Sequence, residues 1–134
     1  MNLKGLPQLQ MLKLRRTTTR GEDLRHFTGL KHLQYIDLCK TMVTDSGLVY
    51  LKGRTKLHTL RLSSTPITDA GLAHLTELTN LETLLLARTP IADTSLVHLK
   101  ERSKRTYLDL TQTQITDSGI VELKQALPNC EITK

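Results

Sequence analysis

The chain has 134 residues, of which 38% are hydrophobic but only 3% aromatic, and its formal net charge is +6. That length suits one domain with a continuous core, and the core must be aliphatic. No run of about 18 apolar residues is present to cross a membrane as a helix. The opening residues, with Lys4 and Lys13 and no unbroken apolar stretch, do not read as a secretory signal, so a cytoplasmic setting is favoured. Cys39 and Cys130 are too few for a disulfide framework or a zinc-ligand set and read as free thiols.

Residues 1–8 read as a partial unit, the back half of something that then repeats. From Leu9 the chain divides without a gap into five blocks of 24 residues: 9–32, 33–56, 57–80, 81–104 and 105–128. The third reads LHTLRLSSTPITDAGLAHLTELTN and the fourth LETLLLARTPIADTSLVHLKERSK. Each block opens on L-x-x-L-x-L. The pairs Leu60 and Leu62, Leu84 and Leu86, and Leu108 and Leu110 alternate with period two, which predicts a short strand with one buried face. The back half spaces apolar residues three apart, as in Leu72, Leu75 and Leu78, which predicts a short helix. Thr44-Asp45, Thr68-Asp69 and Thr116-Asp117 stand ahead of these helices, where Thr or Asp can cap free backbone N–H groups. Residues 129–134 read as a closing strand carrying Ile132.

One such unit cannot bury its own leucines. Stacked units bury them for each other, with the strands in a parallel sheet and the helices opposite. The pattern L-x-x-L-x-L-x-x-T-x-I-T-D-x-G-L-x-x-L resembles the leucine-rich repeat, and within it the T-D-x-G-L kind found in bacterial repeat proteins. It is also similar to the repeats of F-box adaptors and ribonuclease-inhibitor-like domains. The resemblance covers residues 9–127. It implies an α/β leucine-rich-repeat solenoid, a right-handed superhelix with a parallel concave sheet and helices on the convex side. It further implies a non-catalytic protein-interaction module that binds on the concave face.

Some positions depart from the pattern. Thr19 stands where later blocks carry Val or Ile, and Arg20-Gly21-Glu22-Asp23 replaces Thr-Asp-x-Gly. Arg54 and Arg102 take the place of Leu78, and Arg105 that of a leading Leu. Looser helix ends are expected there, with the Arg stems lying along apolar surface. The start of the array shows no obvious polar cap, so a longer array or self-association through that end is expected.

Residues 24 apart form columns. The column Thr17, Thr41, Thr65, Thr89 and Thr113 is expected to bond backbone between turns, because a buried hydroxyl needs a partner. Three columns face the concave side: Met11, Tyr35, Thr59, Thr83 and Tyr107; Lys13, Asp37, Arg61, Leu85 and Asp109; and Arg16, Lys40, Ser64, Arg88 and Gln112. Lys13, Asp37 and Arg61 alternate in sign and read as a charge ladder. Arg16 and Lys40, with Arg15 beside them, are alike in sign and point to an acidic protein patch as partner. Leu85, near Tyr107, reads as an apolar interface anchor on a face that should be wet. The partner-binding set is therefore Tyr35, Asp37, Lys40, Arg61, Leu85, Arg88, Tyr107 and Asp109.

Two other readings remain beside it. Substrate-recognition repeats of an F-box-like ubiquitin-ligase adaptor fit the resemblance, although no F-box is present. Nucleic acid or another polyanion fits the net charge, but interspersed acids and few aromatics count against it. His26, His74 and His98 share a helix-side column, and a two-His set is incomplete as a metal site, so no metal or cofactor is expected. No phosphate loop, G-x-S-x-G or H-E-x-x-H occurs, and Cys39, which Lys40 could activate, stands alone; no enzyme is expected.

Overall fold

A computed structural model describes residue 3 and residues 5–101 and 104–134. Six three-residue strands form one parallel sheet in chain order: β1 (Met11–Lys13), β2 (Tyr35–Asp37), β3 (Thr59–Arg61), β4 (Thr83–Leu85), β5 (Tyr107–Asp109) and β6 (Glu131–Thr133). Met11 pairs with Tyr35, Tyr35 with Thr59, Thr59 with Thr83 and Thr83 with Tyr107, so every step is 24 residues and the columns run straight. The central residues Ile36, Leu60, Leu84 and Leu108 are buried, while their neighbours point away from the core. A three-residue strand has little stability alone; each is held by the leucines it shares with its neighbours.

The back halves are helical but short. They comprise a 3-10 segment (Gly21–Phe27), α1 (Asp45–Leu48) continuing as 3-10 (Val49–Leu51), α2 (Asp69–Leu72) continuing as 3-10 (Ala73–Leu75), and a 3-10 turn (Asp93–Ser95) leading into α3 (Leu96–Leu99). α4 (Asp117–Ala126) is the longest α-helix among the described residues. Burial of Leu48, Leu51, Leu72, Leu75, Leu96 and Leu99 against the strand leucines makes one core. Each fully buried leucine contributes roughly 1.5–3 kcal/mol, which is what keeps one-turn helices in place.

Several local expectations are corrected. Thr41, Thr65 and Thr89 donate their hydroxyls to Leu38, Leu62 and Leu86 carbonyls at 2.7, 2.6 and 2.7 Å. Each bond closes a turn within one repeat and does not join two repeats. Thr19 fills its apolar slot because its hydroxyl meets that of Thr17 at 2.7 Å, whose own hydrogen goes to Leu14 O. The Thr-Asp pair is mostly not a cap: only Thr116 accepts from a helical N–H, that of Gly119 at 3.1 Å. The aspartates reach forward instead. Asp45 accepts from Thr68 N at 2.7 Å and from its hydroxyl, and Asp93 accepts from Thr116 N at 2.9 Å and its hydroxyl at 2.6 Å. Asp69 accepts from Ala92 N at 2.8 Å and, with no hydroxyl at residue 92, from the Thr94 hydroxyl.

The arginine substitutions are also firmer than expected. Arg54 donates to Leu30 O at 2.5 Å and to Phe27 O, adding a second donor to carbonyls that already accept from Leu33 N and Leu30 N. Arg105 donates to Leu99 O at 2.9 Å. Burial lowers the pKa of both guanidiniums. The expectation for Arg102 lies outside the described residues, as does Lys4.

Candidate interaction site

After each strand the chain bends sharply. Arg16, Lys40, Ser64, Arg88 and Gln112 all take the left-handed conformation, with φ of 60, 57, 58, 56 and 56°. A non-glycine residue there costs roughly 1–2 kcal/mol. The bend is held by hydrogen bonds beyond the strands: Leu38 N to Arg61 O at 2.8 Å and Lys40 N to Ser63 O at 2.9 Å, with the same pair at each of the next two steps. It places the side chains of Lys40, Ser64 and Arg88 along one margin of the open sheet face.

Below that margin Arg61 sits at the centre of a network. Its Nη1 donates to the Tyr35 hydroxyl at 2.9 Å and lies 3.3 Å from Asp37 Oδ2. The Tyr35 hydroxyl, and then the Asp37 charge, raise the Arg61 pKa against the opposing effect of burial. Asp37 is only 3% exposed and also accepts from Cys39 N at 3.0 Å. The alternating ladder is thus half formed: Arg61 pairs with Asp37, while Lys13 lies over the Tyr35 ring, 5.8 Å from its centroid. Asp37, expected at the surface, is a buried support for Arg61. Burial first, and the nearby Asp37 next, push the Cys39 thiol up, so Lys40 does not activate it.

Asp109 accepts at Oδ1 from Thr111 N at 3.0 Å, from the Thr111 hydroxyl at 2.6 Å and from the Thr133 hydroxyl at 3.0 Å. Arg88 donates Nε to Gln112 Oε1 at 2.7 Å, which fixes its guanidinium. Between these groups runs an open groove of about 320 Å³. Five of the eight sequence-predicted residues line it, namely Lys40, Arg61, Leu85, Arg88 and Asp109. Tyr35, Asp37 and Tyr107 lie outside the lining. Leu85 is half-buried, so it forms part of the groove's surface without projecting from it. Arg15, Cys39, Ser63, Ala87 and Thr111 complete the lining with Ser64. The first five form one 24-residue column just past the strands, and that spacing was the available signal.

A larger opening of about 500 Å³ lies at the loop edge by Lys31, Tyr50, Lys52, Arg54 and Lys56. Two of its cations are already engaged, Arg54 on backbone carbonyls and Lys56 on His32 Nδ1 at 3.0 Å. His74 and His98 are half-buried on the helix side. Among the described residues no group of three or more His, Cys, Asp or Glu is placed to hold a metal. None of their helices is long and apolar enough to cross a membrane.

Comparison with known proteins agrees with this geometry. The family profile described as "Leucine Rich repeat" matches residues 54–75 and 106–124, both of which lie on the strand-to-helix unit. These segments are leucine-rich repeats, and the fold is that of a leucine-rich-repeat solenoid. The chain's fold is similar to an internalin (inlF) of Listeria monocytogenes, at 22% identity and a TM-score of 0.80 over 96% of this chain and 35% of that one. It is similar to internalin C2 (inlC2) of the same organism, at 28% identity and 0.75, over 97% of this chain and 53% of the other. It also resembles the tropomodulin C-terminal domain of Caenorhabditis elegans, at 15% identity and 0.71, over 92% and 85%. The chain therefore spans about a third and about half of the two internalins. A search of curated proteins finds no match. Leucine-rich repeats are generally modules that bind protein partners and are typically non-catalytic, and the open sheet is their concave face.

Proposed function

We propose that this protein binds a protein partner on the concave sheet, with the groove around Arg61, Leu85 and Arg88 as the contact. The observation that carries this is the convergence of five of the eight column residues on one groove whose surface includes the half-buried Leu85. A mixed surface of arginines about an aliphatic group is the composition that anchors protein interfaces. The groove's lining contains no aromatic ring on which a base would stack, which favours protein over single-stranded nucleic acid.

The test compares wild type with Leu85→Glu in the groove and Val97→Glu on the opposite side, where Val97 is 60% exposed. Each is used as bait in nuclease-treated lysate, and hydrogen exchange is then measured on the captured complex. Loss of the captured protein with Leu85→Glu, its retention with Val97→Glu, and protection over residues 59–64 and 83–88 are expected. Loss with Val97→Glu alone would move the interface to the helices.

A further inference from the structure

We infer that the groove takes an acidic, extended protein segment, with its carboxylates on Lys40 and Arg88 and an aliphatic side chain on Leu85. This rests on the concave-face reading above and adds the chemistry of the partner.

Four cations line the groove: Arg15, Lys40, Arg61 and Arg88. Arg61 has its counterion in Asp37. Among the described residues no carboxylate pairs with Arg15, Lys40 or Arg88. The two acids close by, Asp37 and Asp109, are outnumbered by these four cations. Asp37 is buried against Arg61 and Cys39 N, and Asp109 accepts three hydrogen bonds at one oxygen. Like charges collected in a concavity raise its potential and attract anions to it. Arg88 is held by Gln112, so its guanidinium is preorganised for a carboxylate. Lys40 and Arg88 lie two repeats apart in one column, about 10 Å at the spacing of adjacent strands. In an extended chain only side chains two or four apart share a face, so residues i and i+4, about 13 Å apart at about 3.3 Å per residue, face the two cations together, and the long cation side chains take up the difference. Ser63 and Ser64 supply hydroxyls for the intervening backbone, and Leu85, in register with Arg61 on the repeat that carries Arg88, takes one aliphatic side chain.

The probe is a fluorescein-labelled 12-residue peptide with Glu at two positions four apart, Leu midway between them and neutral polar residues elsewhere. Its anisotropy is titrated against wild type, Lys40→Gln, Arg88→Gln and the double variant. Controls are the peptide with Gln for Glu, a 12-nucleotide single-stranded RNA, and circular dichroism of every variant. The acidic peptide is expected to bind at least tenfold more tightly than the Gln peptide. It should lose at least tenfold with the double variant and weaken with added salt. Equal binding of the Gln peptide, still lost with Leu85→Glu, overturns the acidic partner while leaving the concave interface standing. Tighter binding of the RNA than of the peptide, or no binding of the peptide, overturns the inference, and the capture experiment then decides the interface by itself.

Discussion

Asp93 of one repeat accepts both the backbone N–H and the hydroxyl of Thr116 in the next, at 2.9 and 2.6 Å. The same forward reach joins Asp45 to Thr68 and Asp69 to Ala92 and Thr94. The pair Thr68-Asp69 is therefore a donor facing one neighbour and an acceptor facing the other.

Asp45→Ala should remove two hydrogen bonds between repeats and leave the Thr68 N–H without its partner. The expected cost is about 1–3 kcal/mol. Urea unfolding of the variant checks it. A midpoint equal to wild type would mean that water replaces the carboxylate at no cost.

Gly119→Ala should destabilise the protein because the added Cβ would lie 2.6 Å from Asp93 Oδ1 and 3.0 Å from Ile115 Cγ2. Overpacking of this kind costs typically about 1–3 kcal/mol. Residue 95 shows how a side chain can be carried at the equivalent place: Ser95 is buried and donates to Ala92 O at 2.7 Å, while Asp69 bonds Thr94. Thermal unfolding of Gly119→Ala beside Gly119→Ser decides whether the hydroxyl recovers part of the loss.

Ser64→Gly should stabilise the fold. Ser64 sits at φ 58°, a conformation that costs a side-chain-bearing residue and not glycine. Against this stands the larger entropy of glycine in the unfolded chain, so the net gain is up to about 1 kcal/mol. A lower melting temperature than wild type would count against this account of the bend.

Acid should weaken the contact between the last two repeats. The Thr116 hydroxyl, and then its N–H, hold the Asp93 carboxyl below its ordinary value. A depressed value stabilises the folded state above the ordinary aspartate pKa of about 3.9. That contribution is lost as pH falls through the lower, folded-state value. Asp93→Asn lacks it at every pH, so its stability should fall less than that of wild type as pH drops below about 4. Parallel curves for the two proteins would dismiss Asp93 as a source of acid sensitivity.

The strands, their register and the leucine core were legible because a 24-residue period constrains every repeat at once. What the repeat could not reveal was the direction in which a polar side chain turns. Thr41 and Asp45 were both assigned to the backbone, but which repeat each would bond depends on a bend of the chain that alternation does not encode. Asp37 shows the same limit. Its column faces outward, yet Arg61 covers it and its carboxylate turns toward Cys39 N. Arg54 was read as loosening its helix end, because the carbonyls of Phe27 and Leu30 that its guanidinium reaches one repeat back leave no trace in the sequence.

The straight columns have a consequence for how such a chain tolerates length changes. The third and fourth repeats each present to their successor the edge they received from their predecessor: a carboxylate reaching forward to a backbone N–H, and one row of leucines. A whole added unit of 24 residues of the same pattern would find those partners waiting on either side of them. A one-residue deletion inside a strand would turn Leu60 or Leu84 outward and set Asp45 or Asp69 opposite the wrong hydroxyl. The molecule is forgiving of large insertions and intolerant of small ones.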